Sequence, residues 1–139
     1  MPGAWALRLG YAGLLPFVAA ALLVWLLPPT PAQAFVAQAL SAYAALIISF
    51  LGGIHWGHAM RGPVGNAALA WGVVAPLLAW PAVLMPAHAA LVIHGLLLLA
   101  CYAVDRRLYA AAGAQGWLTL RFRLSAVAAL ACFIGAAGS

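Results

Sequence analysis

The stretch 28-PPTPAQAFVAQALSAYAALIISFLGGIHWGHAMRG-62 decides the architecture of this chain. Its opening prolines lack a backbone N–H and clash with a preceding helical turn, so they close one helix and open another. From about Ala34 to Met60 no acid, lysine or arginine interrupts the run. That length is enough to cross a hydrocarbon core of roughly 30 Å as a helix. Arg61-Gly62-Pro63 then stops it. The stretch reads as a membrane-spanning helix, and the same punctuation divides the rest of the chain.

Working outward, a first span runs from about Leu9 to Leu27 and ends at the prolines. A third runs from about Asn66 to Met85, with Pro76 and Pro81 expected to kink it. The fourth covers about Ala87 to Val104 and ends at Asp105-Arg106-Arg107, followed by a polar linker to residue 116. The fifth runs from about Trp117 to Ala137, with Arg121 and Arg123 in its first turns and their side chains snorkelling outward. The spacing predicts an all-α integral membrane protein, a five-transmembrane-helix bundle that forms one domain over residues 1–139.

Composition agrees. The chain is 68% hydrophobic and 5% charged, against the roughly 25% charged residues of a soluble domain. Its formal charge of +5 comes from six arginines and a single acid, Asp105. Arginines scattered between apolar blocks make no basic face, which argues against nucleic acid and for topology signals. All six (Arg8, Arg61, Arg106, Arg107, Arg121 and Arg123) fall on one side of the five spans. By the positive-inside rule the amino terminus is expected in the cytoplasm and the carboxyl terminus outside. The expected location is the bacterial inner (cytoplasmic) membrane. A competing reading takes residues 1–34 as a secretory signal ending at Ala32-Gln33-Ala34, but the apolar core exceeds the usual length of about 7 to 15 residues. Cys101 and Cys132 lie at opposite ends of antiparallel spans, too far apart in depth for a disulfide.

Within the second span, Gln38, Ser41, Ala45, Ser49, Gly52 and Trp56 fall along one stripe, and Ser49, Gly53 and Gly57 form an adjoining small-xxx-small line. Small faces let membrane helices approach closely, so Ser49, Gly52, Gly53 and Gly57 are expected packing positions and this span is expected to be central. Tyr43, Ile47, Phe50 and Ile54 lie opposite and suit lipid or a looser contact.

Four histidines carry most of the remaining chemistry. His55 and His58 are three residues apart and share a helical face, the weak signature of a metal pair. The plainer reading puts His58 among the headgroups and gives His55 a hydrogen bond to a neighbouring helix or to cytoplasmic water. His94 lies mid-span on the face of Leu98, Cys101 and Asp105, where an unpartnered imidazole would be costly. His88 is near the outer boundary. A haem held by His55 and His94 would require similar depths, and their offset disfavours it. A zinc or copper site would need His55 and His58 joined by His94 or Cys101. Ser49 and His55 point apart on one helix, Ser125 has no nucleophile motif around it, and paired carboxylates are absent from the sequence. Pro76 and Pro81 read first as packing kinks.

LGYAGLLPF at 9–17, SFLGGIHWG at 49–57, Trp71 with Pro76 and Trp80, and RFRL at 121–124 resemble, in order, the transmembrane protein sixty-nine-like family. These are small five-helix membrane proteins catalogued as a domain of unknown function. The resemblance covers nearly the whole chain, and its most specific part is Gly52, Gly53, His55, Trp56 and Gly57. It implies no reaction. It favours His55 alone over a His55–His58 metal pair, because the position of His58 is commonly apolar in the family pattern.

Three functions remain open. The first is a non-enzymatic accessory or assembly component of a larger membrane complex, with the bilayer and other membrane protein subunits as partners. The second is a histidine-based haem, metal or quinone binding module on His55, Trp56 and His94, its cofactor unknown. The third is a small-molecule or lipid carrier. His55 with Trp56 is the favoured site: its replacement by alanine is expected to impair function, with His58 much milder.

Overall fold

A computed structural model describes residues 2–139. The regular structure of the described residues is entirely helical: α1 (Ala4–Ala12), α2 (Leu15–Leu26), α3 (Pro31–Arg61), α4 (Asn66–Val83), α5 (Ala87–Ala111) and α6 (Leu118–Gly138), with a 3-10 turn at Gln115–Trp117 before the last. Five stretches are long and apolar enough to cross a membrane: Ala4–Leu26, Pro31–Arg61, Asn66–Val83, Ala87–Ala111 and Gln115–Gly138. The protein is a five-span helical bundle.

The first span is broken. Pro16 has no N–H to donate backward, and the chain steps from α1 to α2 at Gly13-Leu14. The Tyr43 hydroxyl donates to the Gly13 carbonyl at 2.7 Å, and its ring meets Phe17 edge-on. Tyr43 thus braces the break from α3, where the sequence suggested lipid or a looser contact.

α5 runs past Asp105-Arg106-Arg107 to Ala111, and the expected linker shrinks to a short turn. Leu108, Tyr109, Ala110 and Ala111 continue the helix without a breaker. It closes in a Schellman arrangement: Gly113 adopts φ 74°, its N–H donates to Ala110, and the Ala114 N–H donates to Tyr109 at 2.8 Å.

α3 is central, in contact with α2, α4, α5 and α6. Its buried side carries Leu40, Ser41, Ala44, Ile48, Gly52 and His55. At the crossing with α4, Pro76 leaves the Gly72 carbonyl without its helical donor, and Gly52 packs against that oxygen so closely that a Cβ there would sit 2.5 Å from it. The reverse contact is as tight: a Cβ on Gly72 would meet the Gly52 oxygen at 2.6 Å.

The line of Ser49, Gly53 and Gly57 does not pack within the bundle, contrary to the expectation from sequence. Gly53 and Gly57 are exposed, and a Cβ added at either would meet nothing within 4 Å. Ser49 is also exposed and turns its hydroxyl back to the Ala45 carbonyl at 3.1 Å. The close-contact face lies one residue round the helix, because the partner surface is set by α4 and α5, which the pattern of α3 alone does not contain.

Candidate functional site

Asp105, the one acid of the chain, sits 1% exposed on α5. A bare carboxylate there would be strongly unfavourable, and two side chains answer it. His55 of α3, 1% exposed, hydrogen-bonds Oδ1 through Nε2 at 2.6 Å. Arg121 of α6, 6% exposed, donates from NH2 to Oδ2 at 2.6 Å. A second guanidinium nitrogen, NH1, donates to Ser125 Oγ one turn along α6 at 2.8 Å. Three helices are thus clamped on a single carboxylate.

Protonation follows from the partners. A carboxylate that accepts on both oxygens requires Nε2 of His55 to carry a hydrogen, which leaves the other ring nitrogen, Nδ1, outside this contact. That Nδ1 and the Arg121 Nε are both buried with no hydrogen-bond partner among the described residues. Tyr109, one turn beyond Asp105, packs edge-on against both His55 and His58, and the Arg121 guanidinium lies 5.8 Å from its ring centre. Arg121 is therefore turned inward, against the expectation that it snorkels; Arg123 remains exposed and donates to the Tyr11 hydroxyl at 3.2 Å.

Two cavities flank this relay. The larger, about 530 Å³, is bordered by α1, α2, α3, α5 and α6 and opens at the bundle surface beside Leu9 and Phe50; Tyr109, Arg121 and Ser125 stand in a wall otherwise made of residues such as Leu14, Ile54 and Leu124. Ile47, Phe50 and Ile54, read from sequence as facing lipid or a looser contact, also line it, and Phe50 stays largely exposed. The smaller, about 280 Å³, lies beneath the α3–α4 loop and is lined by His55, His58, Pro63, Gly65, Ala68 and Leu108, among others. No residue lines both cavities.

His94 belongs to a separate cluster. Its Nε2 donates to the Ala79 carbonyl at 3.1 Å, and its Nδ1 accepts from Ser41 Oγ at 3.2 Å. Both ring nitrogens are thereby engaged. Ser41 and His55 stand about 21 Å apart along α3 by helical rise, so His55 and His94 do not converge on one ligand, and the bis-histidine haem geometry is not formed. His55 and His58 have ring centres 6.2 Å apart. Among the described residues no group of three or more His, Cys, Asp or Glu side chains is arranged to hold a metal. Cys101 and Cys132 are buried free thiols. Trp56 is exposed and donates through Nε1 to the Leu69 carbonyl at 3.1 Å, tying α3 to α4.

Sequence reasoning named His55 but missed Asp105, Tyr109, Arg121 and Ser125 as its companions. A signal existed: a sole acid at the end of an apolar span requires a cation, and Arg121 with Ser125 offers a basic and a polar group on one helical face.

These features define a class: a multi-pass helical membrane protein with a buried His–Asp–Arg cluster joining three of its helices. The chain belongs to the family described as protein of unknown function (DUF3429), which it matches over residues 2–137. It is also similar to transmembrane protein 69 of Xenopus tropicalis, at 43% identity over 101 residues that make up 66% of this chain and 38% of that protein. The chain therefore matches well under half of that relative's length. No solved structure matches it.

Proposed function

We propose that the bundle is a binding module for a membrane-soluble amphipathic molecule, seated in the larger cavity with a hydrogen-bond-accepting head at Arg121. One observation carries this reading: an apolar cavity of about 530 Å³ has in its wall a buried arginine whose Nε lacks a partner among the described residues. The volume falls within the roughly 300–1,000 Å³ of small-molecule sites, which combine apolar walls with a few placed polar groups. The ligand is a carbonyl- or anion-headed apolar chain or ring system, and the setting is a bacterial inner membrane with the amino terminus in the cytoplasm.

The test is a saturable binding measurement on the detergent-solubilised chain with a fluorescent long-chain amphipath, together with mass spectrometry of co-purified small molecules. Leu124→Trp, which fills the cavity, is expected to abolish binding while helicity persists. Non-saturable uptake that is equal in the unmodified chain and Leu124→Trp overturns the reading.

A second reading, an accessory or assembly component of a larger complex, draws on the open line of Ser49, Gly53 and Gly57 on α3. Small exposed residues in that spacing admit another membrane helix at close range. Gly53→Leu would then release a co-purifying subunit without unfolding the bundle; retention of every co-purifying protein by that variant counts against it.

A further inference from the structure

We infer that the amphipath is an anion and that its binding is coupled to uptake of one proton at Nδ1 of His55, an inference that rests on the binding-module reading above. The relay holds one acid between two groups able to be cations. With His55 neutral, Asp105 and Arg121 cancel, and the buried site has no net charge. A proton on Nδ1 makes His55 a second cation on the same carboxylate and leaves one buried positive charge uncompensated, an expensive state. An anionic head placed beside Arg121 restores neutrality. Each event therefore favours the other, and by linkage the effect is reciprocal.

Proton and ligand reach the relay by different routes. His55 and His58 line the smaller cavity, under the loop that follows Arg61, while Arg121 and Ser125 line the larger one. The proton arrives from water or buffer through the loop end and forms the Nδ1–H bond; no other covalent bond changes. The ligand arrives from the apolar side. The Asp105 carboxylate joins them through its bonds to His55 Nε2 and Arg121 NH2, and the Tyr109 ring packs against both side chains.

The charged and titratable groups facing His55 are few. α3 itself contributes His58, α5 contributes Asp105 and Tyr109, and α6 contributes Arg121. The loop at 62–65 and α4 contain no titratable side chain. His58 is the only other group that changes charge near neutrality, which makes it the natural control.

The experiment uses the full chain in mild detergent and two fluorescent probes of equal chain length. One is an alkyl sulfonate, whose charge is fixed across the pH range; the other is an uncharged methyl ketone. The sulfonate is expected to bind about tenfold more tightly at about pH 5 than at about pH 8, the interval in which imidazole titrates. In weakly buffered solution its binding is expected to take up close to one proton. The ketone is expected to show no such dependence. His55→Gln, whose amide can still donate to Asp105, is expected to remove the pH dependence, and His58→Gln to keep it. Sulfonate binding that ignores pH in the unmodified chain, or that loses its pH dependence in His58→Gln but not in His55→Gln, overturns the coupling and leaves the binding module standing. Saturable binding of neither probe removes both.

Discussion

Asp105 shows how much one residue can fix when the chain has no other acid. Its two oxygens are divided between His55 and Arg121, so no spare carboxylate exists to take over either contact. Asp105→Asn leaves the Arg121 cation buried without its counter-charge. Removing one member of a buried pair typically costs about 3–5 kcal/mol, so this variant is expected to lose most of its resistance to thermal unfolding in detergent. Adding Arg121→Leu to Asp105→Asn is expected to recover part of that loss, because the uncompensated charge goes with it; a double variant no more stable than Asp105→Asn alone would show that the ion pair is not the source. The Ser41–His94–Ala79 chain predicts a smaller effect of the same kind. Ser41→Ala deprives the His94 Nδ1 of its donor and is expected to cost about 1–3 kcal/mol, measured by the same denaturation. His55→Ala is expected to impair binding while the chain still inserts, and His58→Ala to be much milder.

Between elements, the crossing of α3 and α4 is set by backbone rather than by side chains. Gly52 and Gly72 lie in mutual contact, Pro76 supplies the unpaired carbonyl that faces Gly52, and Trp56 closes the contact by bonding Leu69. Gly52→Ala drives a methyl group onto a carbonyl oxygen that belongs to the helix and cannot rotate away. Overpacking of this kind costs about 1–3 kcal/mol, so reduced thermal stability is expected for Gly52→Ala and no measurable loss for Gly53→Ala or Gly57→Ala in the isolated chain. Equal loss from all three would mean that the small face is packed all round. That a small-residue face exists on α3 was legible from its 100° periodicity. Which of two adjacent glycines points inward was not, because one residue turns the face by about 100° and the deciding feature, the proline-freed carbonyl, lies on another helix. The same limit applies to Tyr43, Ile47, Phe50 and Ile54. An apolar face against lipid and an apolar face against a cavity carry the same residues.

For the whole molecule, prolines, glycines and arginines marked the five spans in sequence, since each interrupts an apolar helix for a stated reason. The relay was hidden for the opposite reason: its members are Asp105 and two residues on other helices, and only the bundle brings α3, α5 and α6 to one point. That internal pairing also refines the orientation argument. Arg121 is consumed by Asp105, so the arginines exposed at one end of the bundle are Arg8, Arg61, Arg106, Arg107 and Arg123. The opposite end, at residues 27–30, 84–86 and the carboxyl terminus, carries no lysine or arginine. Short basic loops resist translocation, so reporter fusions at residue 30 and after residue 139 are expected to be active on the outer side. Fusions at residues 64 and 113 are expected on the inner side. Replacing Arg106 and Arg107 together by Gln is expected to weaken this orientation, whereas Arg121→Gln is expected to disturb folding before topology. A carboxyl terminus found in the cytoplasm would reverse the assignment, and protons would then reach His55 from the outer side.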